Sequence, residues 1–277
     1  MNGIAGVALM QDVLDLSRKA GEVILEVYAE GNLTPTLKSG GSPVTRADTL
    51  ANGLIVEGLH TLTPDLPVLS EECEAVPYRD RQRWGTYWLV DPLDGTKEFL
   101  NRNGEFTVNI ALIEEGRGAL GVVHAPALNL TYYAIRGEAA FRIRGSDGPV
   151  RISTATYSSG PLRIVTTRSH ADESLNDFLQ SLGNHDRLPV GSSMKFCLVA
   201  DSSAHLYPRL GPTMEWDTAA GQCIVEAAGG TVTDLQGHPI RYNKPSLLNP
   251  GFVASGRFVS RSVQPSGTSQ HGDQDRH

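Results

Sequence analysis

A chain of 277 residues is long enough to bury a sizeable core as one large domain or two closely packed ones. Hydrophobic residues make up 40% and charged residues 20%, an ordinary globular balance, and the formal net charge of -7 excludes a broad basic footprint for polymeric nucleic acid. It leaves room for a small anionic substrate, because bound cations can invert the sign of a local site.

Apolar residues recur at helical spacing over 7–28, with Val13, Leu16, Ala20, Val23 and Val27 as one stripe and Gly31 where the helix would end. Residues 32–46 are rich in Gly, Ser, Thr and Pro and read as a loop or ribbon. A second amphipathic helix follows, with Leu50, Leu54, Leu59 and Leu62 on its buried side, stopping before Pro64. Residues 66–69 and 87–90 are short apolar strands, and the second runs directly into Asp91. Segments 106–113, 119–124, 130–136 and 140–143 read as an antiparallel meander with glycines at its turns. Beyond about residue 159, strands at 163–167, 187–190 and 204–207 alternate with helices at 171–182, 192–202 and 217–228, which predicts an α/β layer. The expected division is 1–155 carrying most of the metal ligands, 156–256 closing the substrate site, and 257–277 as a disordered polar tail.

Three scattered cysteines, Cys73, Cys197 and Cys223, form no CxxC pair and read as small buried apolar residues. No signal-peptide pattern opens the sequence, and no apolar run reaches the roughly 18–20 residues needed to span a bilayer. The expected location is cytoplasmic, with no transmembrane segment; a peripheral contact with the inner face of the membrane stays open.

Four acidic positions carry the chemistry: Glu71, Asp91, Asp94 and Asp217. Asp91 and Asp94 flank Pro92 just past a strand, where a bend can turn both carboxylates to one point and expose the Leu93 carbonyl. Such oxygen ligands, with no His or Cys nearby, suit Mg²⁺ or Mn²⁺ rather than Zn²⁺. A desolvated carboxylate cluster needs cations, and two divalent ions roughly 3.5–4 Å apart suit phosphoryl chemistry. If a helix begins after Gly95, its free N–H groups can cradle phosphate oxygens, and the Thr96 hydroxyl can orient a water. Singly, each feature has a plainer explanation: Glu71-Glu72 as solvated surface, Asp94-Gly95-Thr96 as a turn, and Asp217 or Asp48 as a helix cap.

Their joint order resembles the inositol-monophosphatase superfamily of magnesium-dependent, lithium-sensitive phosphatases. The carrying motifs are Asp91-Pro92-Leu93-Asp94-Gly95-Thr96 (DPxDGT) and Trp216-Asp217-Thr218-Ala219-Ala220-Gly221 (WDxAAG), with Ser70-Glu71-Glu72 and Ser42-Pro43-Val44-Thr45-Arg46-Ala47-Asp48 upstream. Segment 191–197, Gly-Ser-Ser-Met-Lys-Phe-Cys, and segment 207–217 are most similar to the bacterial 3′(2′),5′-bisphosphate nucleotidases of sulfate assimilation. The resemblance implies a five-layered αβαβα sandwich and Mg-dependent hydrolysis of the 3′-phosphate of adenosine 3′,5′-bisphosphate to AMP; the 5′-sulfated analogue is a second substrate left open.

By matching position, the resemblance puts one Mg²⁺ on Glu71, Asp91 and the Leu93 carbonyl and a second on Asp91, Asp94 and Asp217, with two or three ions per site. Thr96 and Asp48, with Glu71, would activate the water. The substrate would contact Glu71, Leu93, Asp94, Gly95, Thr96, Ser192, Lys195 and Asp217. Lys195 and Arg209 are candidates for the second phosphate, because a bisphosphate keeps one anionic group away from the metals. In one departure, Lys38-Ser39-Gly40-Gly41-Ser42 carries glycines where relatives often have acidic residues, which puts a third metal in doubt. Two alternatives remain: a phosphatase of inositol 1-phosphate or another sugar phosphate, whose polyol needs carboxylates in the substrate half (Glu215 is ambiguous), and a non-catalytic metal- or nucleotide-binding regulator. The expected partner is a small nucleotide, bound by a monomer or homodimer.

Overall fold

The computed structural model describes residues 6–30, 35–37, 43–168 and 173–258. Helix α1, Val7–Ala29, buries Val13, Leu16, Ala20, Ile24 and Val27, so Ile24 takes the place expected for Val23. Strands β1, Thr36–Leu37, and β2, Pro43–Val44, form a small antiparallel ribbon. Helix α2, Arg46–Leu62, starts at a capping box: the Thr45 hydroxyl accepts from the Ala47 N–H, and Asp48 accepts from the Thr45 N–H. Its buried side is Ala47, Ala51, Ile55 and Leu59, whereas Leu50 is 44% exposed. Of the four leucines expected on the buried side, only Leu59 is fully buried; Leu54 and Leu62 are half-buried, and Gly58 lets Leu16 of α1 pack against α2.

Seven strands then form the larger sheet: β3, Val68–Ser70; β4, Thr86–Asp94; β5, Thr107–Glu114; β6, Arg117–Ala125; β7, Leu130–Ile135; β8, Ala140–Arg144; and β9, Val150–Ile152, in that spatial order. Two short helices interrupt them, α3 at Tyr78–Arg81 and α4 at Thr96–Leu100. The meander from β5 to β8 is antiparallel as expected, and only β3 runs parallel to β4. Strand β4 does not end at Val90. It continues through Asp91-Pro92-Leu93-Asp94, with a register slip against β5 between Asp91↔Asn109 and Asp94↔Thr107. Such a bulge bends the strand and re-aims the side chains beside it.

After the short strand β10, Thr156–Tyr157, comes the second sheet, with the spatial order β12 (His185–Val190), β11 (Leu162–Thr167), β13 (Leu206–Arg209), β15 (Phe252–Ser255), β14 (Thr231–Asp234). Helices α5, Glu173–Ser181; α6, Met194–Ala200; and α7, Glu215–Ala227, alternate with them. Strand β16, Arg257–Phe258, pairs with β10, so the polar tail does not begin at Arg257; Phe258 packs on Tyr157 and the Arg257 N–H donates to Ala155. Residues 259–277, the Gly31 helix stop, the 38–42 glycine segment and the first two residues of the 171–182 helix lie outside the described residues.

Three apolar clusters define five layers. Helices α1 and α2 cover one face of the seven-stranded sheet through Trp88, Val90, Ile110 and Val122. The other face, with Leu89, Val123 and Tyr132, packs on α6 and α7, which also pack on Val165, Tyr207 and Phe252 of the second sheet. Helix α5 covers that sheet's outer face through Leu175 and Leu179 on Leu162 and Ile164. The order is αβαβα, the sandwich that the family resemblance implied. Helix α7 lies directly on β6: a Cβ on Gly121 would stand 2.7 Å from the Ala220 carbonyl, so glycine there lets the helix approach. That contact brings the start of α7, and Asp217, against the end of β4. Cys197 and Cys223 are buried as expected, but Cys73 is exposed, because it follows the β3 end in a turn. No helix among the described residues is long and apolar enough to cross a membrane.

Candidate active site

The carboxylate end of the site is assembled from three elements. Glu71 follows β3, its N–H donating to the Val90 carbonyl; Asp91 sits in β4; Asp217 is in the first turn of α7. One carboxylate oxygen from each lies within 4.8 Å of the others. Asp91 is fully buried, and burial followed by the charges of Glu71, Asp94 and Asp217 pushes its carboxyl well above the ordinary range. Burial and Asp94 push Asp217 up to about 8, against a hydrogen bond from the Met214 N–H. Asp94 is not in the 4.8 Å group. Its Oδ2 accepts from the Ser193 hydroxyl at 2.6 Å, and Ser193 in turn accepts from Asn109 Nδ2 at 2.8 Å and stands 2.9 Å from the Asp217 carbonyl.

Ser193 and Asn109 were invisible to sequence reasoning, which singled out the neighbouring Ser192. A serine hydroxyl bridging two chain segments has no local pattern; only the register Asp91↔Asn109 places the amide there. The donor set fits a hard divalent cation: all oxygens, converging, and mutually repelling when ionised. Glu71, Asp91 and Asp217 are the residues placed to hold one, and Asp94 stands beside them.

Gly95 has φ +93, in the left-handed region, and caps the N-terminus of α4. Thr96 opens that helix, and its hydroxyl donates to Asp48 Oδ1 at 3.4 Å, a long bond. Asp48 is buried, which raises its carboxyl, while two hydrogen bonds from Thr45 oppose the rise. Asp48 is thus both a helix cap and a partner of Thr96, so the plain and the functional readings hold together.

The other end of the site is cationic. Asp94, Gly95, Ser192, Lys195, Arg209 and Asp217 are among the residues lining a cavity of about 130 Å³. Lys195 is 7% exposed, not a solvated surface charge. Burial lowers its ammonium, and Asp94 counters that shift. Its Nζ donates to the Ser192 carbonyl and stands 5.5 Å from the Tyr207 ring. Arg209 Nη1 donates to Thr167 Oγ1 at 2.9 Å and Nη2 to the Pro212 carbonyl at 3.0 Å, while its buried Nε–H has no partner among the described residues. Glu215 resolves the ambiguity left by sequence. It is fully buried away from the cavity, bonded by Lys244 Nζ at 2.6 Å and the N–H groups of Asn243 and Lys244. Glu98, 6% exposed, also lines the cavity and was passed over because a mid-helix glutamate reads as surface.

The sandwich, the converging carboxylates and the helix start at Thr96 define a metal-dependent phosphatase scaffold, and the chain belongs to the inositol monophosphatase family, whose model matches residues 9–265. Among its relatives, the protein named 3′(2′),5′-bisphosphate nucleotidase CysQ of Salmonella typhimurium is 51% identical over 246 residues, spanning 88% of this chain and 98% of the relative. Its counterpart of the same name in Escherichia coli strain K12 is 50% identical over 250 residues, spanning 89% and 99%. The crystal structure of CysQ from Bacteroides thetaiotaomicron matches with a TM-score of 0.80 at 38% identity, over 92% of this chain and 99% of that one.

Proposed function

We propose that this chain hydrolyses the 3′-phosphate of adenosine 3′,5′-bisphosphate, giving AMP and phosphate, with Mg²⁺ on the carboxylate end, two or three ions per site. The observation that carries this reading is one cavity shared by the buried Lys195 and by Arg209 with Asp94 and Asp217, the last of which belongs to the carboxylate cluster with Glu71 and Asp91. The names of relatives about 50% identical over nearly their whole length support it.

In this reading Glu71, Asp91, Asp217, the Leu93 carbonyl and Asp94 hold the cations. Bound divalent cations neutralise the carboxylates, polarise phosphoryl oxygens and make water more acidic. The Gly95 and Thr96 N–H groups, at the start of α4, hold the phosphoryl oxygens of the scissile group. Thr96, hydrogen-bonded to Asp48, orients the attacking water, and Asp48 is the acceptor toward which its proton moves. The water oxygen joins phosphorus, the bond from phosphorus to O3′ breaks, and the 3′-hydroxyl leaves with a proton. Lys195, Ser192 and Arg209 receive the second phosphate. The polyol alternative is weaker, because Glu215 is consumed by Lys244. The cytoplasmic location and the division into 1–155 and 156–256 are part of the same proposal.

The test is a substrate panel with Mg²⁺, scored by phosphate release. Phosphate release from adenosine 3′,5′-bisphosphate should need Mg²⁺ and exceed release from inositol 1-phosphate. Faster release from inositol 1-phosphate at equal concentration refutes the reading.

A further inference from the structure

Ser192 is a non-glycine residue in the left-handed region, φ +49, on the wall of the cavity. Such a conformation persists only where its surroundings hold it. Two contacts flank it. On its C-terminal side, Lys195 Nζ donates to the Ser192 carbonyl. On its N-terminal side, the Gly191 N–H donates to Glu105 Oε2 at 2.8 Å. Glu105 belongs to the seven-stranded half, just before β5. Its carboxylate also takes a two-pronged bond from Arg168, Nε at 3.0 Å and Nη2 at 2.6 Å. Arg168, immediately after β11, donates from Nη2 to the Pro189 carbonyl in β12 as well, at 2.7 Å. Gly191 fits only as glycine: a Cβ would stand 2.9 Å from the Glu105 carbonyl and 2.4 Å from Glu98 Cγ.

Neither Glu105 nor Arg168 is among the residues lining the cavity; their polar groups are turned to each other, to the Gly191 N–H and to the Pro189 carbonyl. Their carboxylate–guanidinium clasp links the two halves at the turn whose Ser192 carbonyl accepts from the buried Lys195 ammonium of α6. We propose that Glu105 and Arg168 are positioning residues for substrate choice: they lock the Gly191-Ser192 turn and so fix Lys195 at the distance from Thr96 that suits a nucleoside bisphosphate over a monophosphate. This rests on the reading of Lys195 as the anchor of the second phosphate. A planar guanidinium fork on a carboxylate sets direction as well as attraction, which is what a positioning contact needs.

The experiment compares wild type with Glu105→Ala, Glu105→Gln, Arg168→Ala and Arg168→Lys. Each is assayed on adenosine 3′,5′-bisphosphate and on adenosine 3′-monophosphate, which carries the same scissile group without the second phosphate. Glu105→Ala and Arg168→Ala should lower kcat/KM for the bisphosphate about five- to ten-fold, mainly through KM, and leave the monophosphate within about two-fold, the size of loss expected when one charge-assisted contact is removed. Arg168→Lys, which cannot form the fork, should fall between wild type and Arg168→Ala. Glu105→Gln, which keeps an acceptor for Gly191, should be milder than Glu105→Ala. Equal losses on both substrates would mean a merely structural clasp and overturn the proposal, as would unchanged ratios. A wild type that turns over both substrates alike refutes the second-phosphate reading itself, an outcome visible before any variant is made.

Discussion

The two ends of the site both hold buried or half-buried charge, yet they are stabilised in opposite ways. At the carboxylate end, like charges converge: Asp91 and Asp217 lie against Glu71 and beside Asp94, and their carboxyls are pushed upward by burial and by one another. At the cationic end each charge already has protein oxygens to donate to, Ser192 for Lys195 and Thr167 and Pro212 for Arg209. The first end therefore needs a cation from outside to ionise fully, while the second is braced before any ligand arrives. In the proposed reaction the unbraced end does the chemistry and the braced end does the selecting.

The largest expected effect breaks the first end. Asp94→Asn should reduce turnover by more than the ~10–100-fold usual for losing an outer partner of a metal ligand. Metal-free stability should hold or rise, because the variant removes one charge from a self-repelling cluster and no apolar packing. Activity with Mg²⁺ and thermal melting with and without it read both arms. Wild-type turnover would take Asp94 out of the site. A large drop in metal-free melting temperature would mean that the cluster is bound together by something other than an added cation.

The next effect separates the ends. Lys195→Met keeps the length and apolar contacts of a buried side chain and removes its charge. KM for adenosine 3′,5′-bisphosphate should rise about 10- to 100-fold, the worth of a hydrogen bond to a charged group. Turnover of adenosine 3′-monophosphate should change little. If both substrates fall together, Lys195 serves the carboxylate end instead, through its attraction to Asp94.

The same contrast explains what was legible in the sequence. The carboxylate end is carried by short contiguous runs at strand and helix boundaries, so Glu71, Asp91, Asp94, Gly95, Thr96 and Asp217 could be read as a set. The helix α1, the meander and the later strand–helix alternation were also legible from their periods, whereas the order of the layers came only with the family resemblance. What failed to show depends on contacts between distant segments. Ser193 and Asn109 meet 84 residues apart, and Glu105 and Arg168 meet 63 apart. Strands β14 and β15 were missed because each has only four residues, and their pairing is with distant segments: β14 with β15, and β15 also with β13. Lys195 was named as a candidate from the sequence, but its burial was not legible, because burial is a property of the cavity and not of its neighbours in sequence.

The smallest expected effect on turnover comes from a buried titratable group outside the cavity, and it tests whether pH acts through the pocket or the scaffold. His124 lies in β6 beneath α1, where a Cβ on Gly21 would stand 2.7 Å from its Nε2, and its Nδ1 is 2.9 Å from Thr131 Oγ1. Burial, and then the charge of Arg18, lower its pKa to about 4. An unfolded histidine titrates near 6.5. Between those values the unfolded chain takes up a proton that the folded chain refuses, so stability is full above about pH 6.5 and declines as pH falls toward 4. By pH 5 the loss should be about 2 kcal/mol, or roughly 5 °C in melting temperature for a chain of this size. His124→Gln should flatten the change in melting temperature between pH 7 and pH 5 while leaving turnover at pH 7 near wild type. If the variant loses as much stability on acidification as the wild type, the acid sensitivity belongs to other groups, and the carboxylate cluster becomes the first place to look.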